Sequence, residues 1–133
     1  WTFYELDFNL LQNASKKFVG RHDFSAFRSA ECQAKSPVRT IESFTLQNFN
    51  NFYLFTINGD GFLHHQIRNM IATIISVSKK EIPISYIDTL FQKKDRSLTP
   101  ATFSPNGLYL TNIKYDKIWG FPSSMNTVNI FKT

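Results

Sequence analysis

The chain has 133 residues and a mass of 15.4 kDa, the length of one domain and enough to bury a core without disulfide staples. With 42% hydrophobic and 19% charged residues it is not an extended disordered chain, and its apolar stretches, such as Ile74-Ile75, fall far short of the roughly 20 residues of a membrane span. A single cysteine, Cys32, excludes an internal disulfide and a cysteine-rich zinc site and fits a reducing cytosol.

The net charge is +5, and the excess is concentrated. Between Lys16 and Arg39, six Lys and Arg face two Asp and Glu, a net +4 over 24 residues. A basic segment of this density fits a polyanion such as nucleic acid; the alternative is a solvated surface kept for solubility. The 14 Phe residues read mainly as core. No basic-then-apolar leader follows Trp1, and the absence of an initiating Met reads as a piece of something longer.

In chain order, the first element reads as a helix with Asp7 as cap, Leu10, Leu11, Ala14 and Phe18 at helical spacing, and Gly20 as its end. Residues Arg21 to Pro37 form a polar, basic segment with an aromatic knot at Phe24 and Phe27. Two strands follow, from Val38 to Leu46 and from Phe52 to Ile57, joined as a hairpin by the turn chemistry of Asn48-Phe49-Asn50-Asn51. Gly59-Asp60-Gly61 breaks the second strand.

A long helix is predicted from Leu63 to Val77. Leu63, Ile67, Met70, Ile71 and Ile74 make one apolar stripe, with Arg68 on its border beside Ile71 and Ile75. A second helix runs from about Ser85, its cap, to Lys94, with Ile87, Leu90 and Phe91 inward. After a loop with Pro100 and Pro105, Leu108 to Tyr115 reads as a strand and Trp119 onward as a tail. The order predicts a single α+β domain over residues 1–133, its core at about 6–115 and its tail at 116–133. Its sheet is mainly antiparallel, with helices packed on one face, the long helix lying on the sheet.

Few constellations could carry chemistry. His64 and His65 diverge by about 100° on a helix and cannot easily share a metal. Asp60 reads first as a turn residue and only second as a catalytic carboxylate. Gly59-Asp60-Gly61 is too short for a phosphate loop. Arg68 is different: a guanidinium at the edge of an apolar face needs an anion, either a carboxylate of the domain or a group in a cleft.

Four blocks in order resemble a known family. They are Gly20-Arg21-His22-Asp23-Phe24-Ser25-Ala26-Phe27-Arg28; Gly61-Phe62-Leu63-His64-His65-Gln66-Ile67-Arg68-Asn69-Met70; Asp95-Arg96 with Thr102 and Pro105; and Gly107-Leu108-Tyr109-Leu110. Cys32-Gln33 and Pro37-Val38-Arg39 also fit. Together they resemble the C-terminal domain of the tRNA pseudouridine synthase A family, from about Leu6 to Tyr115. Gln66 stands where that family typically has Met, and Ala72 and Ser78 where it has Gly.

The resemblance implies half of a pseudouridine synthase catalytic fold. It implies an isomerase that needs neither cofactor nor metal, acts in the cytoplasm on uridines of the tRNA anticodon stem-loop, and works as a homodimer. Its nucleophilic Asp belongs to an N-terminal domain whose Arg-x-Asp-x-Gly motif does not occur here, so this chain alone is expected to be inactive. By the same resemblance Arg68 pairs with that Asp, and Leu108 packs against the active-site ring. Arg68 should then face a concave edge near Leu108, without a carboxylate of this chain. Arg21, His22, Arg28, Lys35, Arg39 and His65 are the expected RNA-binding residues. The alternative is a stand-alone RNA-binding module without catalysis.

Overall fold

The computed structural model describes residues 6–29, 32, 34–49 and 52–103. Helix α1 (Phe8–Lys16) starts where expected, because the Asp7 carboxylate accepts the Leu10 N–H at 3.2 Å. Its inner face, Leu11 and Ala14, is fully buried, and so is Phe18 just beyond its end. Gly20 does not end this helix. With φ of +111° it opens strand β1 (Gly20–Asp23), which lies within the stretch read as a polar connection. Four residues with two charges carry no strand signal of their own; pairing supplies it.

β1 lies antiparallel to β2 (Val38–Phe49), which in turn lies antiparallel to β3 (Phe52–Gly59), giving the order β1-β2-β3. The hairpin runs farther than predicted, with Phe49 opposite Phe52; Asn50 and Asn51 lie outside the described residues. A register shift between Ile41 and Ser43 leaves Glu42 as the extra residue of a bulge. Helix α2 (Gln66–Ser78) and helix α3 (Tyr86–Lys93) follow, the latter shorter by a residue at each end than predicted. Ser85 stands at the start of α3 but makes no side-chain cap.

One hydrophobic core joins these layers. α1 contacts both β2 and α2, so it, rather than α2, is the helix laid most closely along the sheet. Met70, Ile74 and Val77 of α2 complete the same cluster with Ile41 and Phe44, and Ile67 packs at its margin. The tie between the two helices is polar: the Ser78 hydroxyl accepts the Asp7 N–H at 2.7 Å and donates to the Asp7 carbonyl at 3.2 Å. Ser78, a departure from the family pattern, thus fastens the end of α2 to the start of α1. The strand expected from Leu108 to Tyr115, the tail from Trp119 and Pro105 lie outside the described residues.

The aromatic knot is larger than Phe24 and Phe27. Phe91 of α3 stacks edge-on to Phe18, Phe24 and Phe27 or tilts against them, at centroid distances of 5.7, 5.5 and 5.3 Å. Such pairs add about 0.5–1.5 kcal/mol beyond area burial. Phe27→Ala, at a fully buried position in the middle of this group, should lower stability by about 3–5 kcal/mol, measured by urea denaturation.

Candidate active-site arginine and nucleic-acid interface

The Gly59–Gly61 turn delivers the chain to α2. A side chain at Gly59 would place its Cβ 2.8 Å from the Thr40 carbonyl, so glycine alone fits. Asp60 holds Thr40 from both sides: its N–H donates to the Thr40 carbonyl at 3.1 Å, and its carboxylate accepts the Thr40 N–H at 2.9 Å. Asp60 is therefore the turn residue that closes the sheet.

α2 begins three residues later than predicted, because His65 has φ of 64°. His64 and His65 sit in this turn, not on a helix, and their rings approach to 4.0 Å instead of diverging. No side chain at His65 caps the helix. Gln66, fully buried, ties the start of the helix to the turn before it: its carbonyl accepts the Leu63 N–H at 2.9 Å and its amide lies 3.6 Å from Met70 Sδ.

Arg68 lies in the first turn of α2, half-buried, and donates from Nε to the Phe103 carbonyl at 2.7 Å. Among the described residues no carboxylate pairs with it. Leu108 lies outside the described residues. Beside it, Asn69 is fully buried and doubly engaged. Its amide donates to the Phe27 carbonyl at 2.6 Å, and its carbonyl accepts from Arg96 Nη2 at 3.1 Å. Sequence reasoning assigned neither Asn69 nor Arg96 a role; their presence in the family-like blocks was the available signal.

The basic residues do not form one face. Register pairs His22 with Arg39 and Arg21 with Thr40, so strand alternation puts Arg21 on the opposite face from His22 and Arg39. The His22 ring stacks on Phe91 at 4.5 Å, meets Phe24 edge-on, and its Nε2 lies 3.0 Å from the Val19 carbonyl. It is a packing residue. Arg39 donates to the Ser36 and Val38 carbonyls, at 2.9 and 2.8 Å. Arg28 donates to the Ala34 carbonyl over a long 3.5 Å. Lys35 is exposed and His65 half-buried.

Arg28 and Arg39 both act on Cys32. The Ala34 and His64 N–H groups, aided by these two guanidiniums, outweigh burial and hold the thiol below its ordinary pKa. Arg28 and Cys32 also line a cleft of about 360 Å³ with Lys94, Asp95 and Arg96. Lys94, another residue without an assigned role in the sequence reading, reaches Asp23 at 3.7 Å. No group of three His, Cys, Asp or Glu among the described residues could hold a metal ion, and no described helix is long and apolar enough to cross a membrane.

Arg68 thus stands at the head of α2, and Arg28, Lys94 and Arg96 line a cleft of the same domain. The family model of tRNA pseudouridine synthases matches residues 14–116, and the chain belongs to that family. It is 43% identical over 130 residues to tRNA pseudouridine synthase A of Methylobacillus flagellatus, covering 98% of this chain and 50% of the relative. To the protein of that name from Nitrosomonas eutropha it is 42% identical over 123 residues, 92% of this chain and 44% of the relative. The chain thus spans about half the length of these curated relatives.

Asp23 gives a pH signature to this corner. Burial pushes its carboxyl up, but the Ser25 hydroxyl and N–H, with Lys94 and Arg28, outweigh it and leave the carboxyl below its usual range. A carboxyl depressed in the folded state stabilises above its unfolded pKa, and that contribution disappears as pH falls through the folded pKa. Asp23→Asn should therefore be less stable than the native chain at neutral pH, with the gap closing in acid. Urea denaturation at both pH values measures it.

Proposed function

We propose that this chain is the arginine-bearing, RNA-gripping half of a tRNA pseudouridine synthase that isomerises uridines of the tRNA anticodon stem-loop. In that reaction the N1–C1′ bond breaks, a C5–C1′ bond forms, the C5 proton is lost and N1 gains one. The balance needs no oxidant, reductant or cofactor. The observation that carries the reading is Arg68: half-buried at the head of α2, with Phe103 O on its Nε and no carboxylate partner among the described residues.

In the proposal the terminal fork of Arg68 takes the nucleophilic carboxylate of an N-terminal domain, keeping it ionised and oriented. Leu108 supplies an aliphatic wall against the active-site ring, which excludes water around a flipped base. Arg21, Arg28, Lys35, Arg39 and His65 meet the RNA, Arg21 from the face of the sheet opposite Arg39, and His22, paired with Arg39 in register, anchors β1 through its stack on Phe91. The working enzyme is a cytoplasmic homodimer.

Two measurements test this. The chain alone should release no tritium from an anticodon stem-loop labelled at uridine C5. The full-length protein carrying it should release tritium, and lose nearly all of that activity on Arg68→Ala. Release by the chain alone, or a fully active variant, would overturn the reading.

Binding is the second test. On a duplex arm, log K should fall with log salt by about 0.9 per neutralised phosphate, and Arg28→Glu with Arg39→Glu should flatten that slope. Cys32 is a built-in reporter, because Arg28 and Arg39 both act on its thiol. Its alkylation should slow when tRNA is bound, and an unprotected thiol would place RNA elsewhere.

A further inference from the structure

Arg96 stands in a 3-10 turn (Arg96–Leu98) after α3 and is half-buried. Its guanidinium meets three neutral oxygens. Nη1 donates to the Thr99 carbonyl at 3.0 Å; Nη2 donates to Thr102 Oγ1 at 3.0 Å and Asn69 Oδ1 at 3.1 Å. No carboxylate among the described residues pairs with it, and the neighbouring Asp95 spends its carboxylate on Ser97. An arginine kept for an ion pair would look different. This one uses the rigid spacing of its fork, which a lysine cannot reproduce.

The oxygens it gathers belong to two structures that meet at Arg68. One is segment 99–103, pinned at three points: Thr99 Oγ1 donates to the Ala26 carbonyl at 2.6 Å, Thr102 Oγ1 accepts from Arg96, and the Phe103 carbonyl accepts from Arg68. The other is the first turn of α2, through Asn69, the residue next to Arg68. The Asn69 amide has one workable orientation. Reversed, it would set NH2 against a guanidinium and oxygen against the Phe27 carbonyl. Arg96 therefore fixes the backbone from which Arg68 projects and the segment carrying the carbonyl that holds Arg68 Nε.

We infer that Arg96, through Asn69 and Thr102, is a positioning residue for the Arg68 guanidinium. This rests on the proposed role of Arg68 in turnover and goes beyond it, since the partners of Arg96 among the described residues are neutral oxygens that lead to Arg68. A displacement of about 1 Å in a catalytic group can cost a hundredfold in rate, so loosening the brace should show in kcat.

The test uses the full-length protein carrying this chain, with Arg96→Lys and the milder Thr102→Val, which removes one acceptor and leaves the core intact. Turnover per folded molecule should fall about tenfold to a hundredfold for Arg96→Lys, and by a smaller factor for Thr102→Val. KM for tRNA should stay within about twofold. Adding Arg96→Lys to Arg68→Ala should cost nothing more, because the two residues act as a unit. In the same protein, solvent exchange of the Arg68 Nε–H, followed by NMR, should quicken in both variants.

Unchanged kcat in folded Arg96→Lys would overturn the inference. So would a raised KM with kcat intact, which would make Arg96 an RNA contact, or additive losses in the double variant. Exchange unchanged at Arg68 overturns it whatever the activity. A fully active Arg68→Ala protein would instead remove the proposed function, while the exchange measurement still judges the brace.

Discussion

A buried side-chain amide with both ends committed is the constraint on which this arrangement turns. Asn69 is sealed from solvent, where an unmatched donor or acceptor costs about 1–3 kcal/mol. Its partners come from distant parts of the chain: the carbonyl of Phe27, 42 residues upstream, and the guanidinium of Arg96, 27 residues downstream. Three otherwise separate pieces must therefore arrive together: the turn after β1, the head of α2 and the turn after α3. The aromatic group around Phe91 provides the apolar half of the same convergence, tying α3 to Phe18, Phe24 and Phe27.

Much of the fold was legible in the sequence because local chemistry agreed with the final structure. Asp7 caps α1, the hairpin follows its β-rich pattern, and the glycines at 59 and 61 mark a real break. What was illegible depended on partners. β1 is four residues without an apolar pattern whose strand character comes from β2, and the stacking of His22, one of the expected RNA-binding residues, on Phe91 depends on a contact the sequence does not display. The head of α2 was misplaced because periodicity sees the apolar stripe but not the left-handed residue at His65.

The site divides the same way. Arg68 stood out from its own surroundings, as a charge on the margin of an apolar stripe. Asn69 and Arg96 are ordinary in their local sequence and acquire meaning only through contacts across the fold. Two of the departures from the family pattern also find physical reasons. Gln66 accepts the Leu63 N–H of the turn that leads into α2, and Ser78 bonds both backbone groups of Asp7. Ala72 is buried, and nothing in the structure explains its presence in place of Gly.

The Asp7–Ser78 tie has a consequence for how the chain assembles. It joins residues 71 apart, and the Thr99 bond to Ala26 joins residues 73 apart, whereas the β2–β3 hairpin closes on neighbours. By loop-closure entropy, bringing such distant residues together costs roughly 2–3 kcal/mol more than closing the hairpin. The hairpin can therefore form while the rest of the chain is still searching. The Asp7–Ser78 bond needs the end of α2, and the Phe103 bond to Arg68 needs its first turn, so both wait for α2. By this measure the bonds around Arg68, its own to Phe103 and those of Asn69 to Phe27 and Arg96, also close after the hairpin.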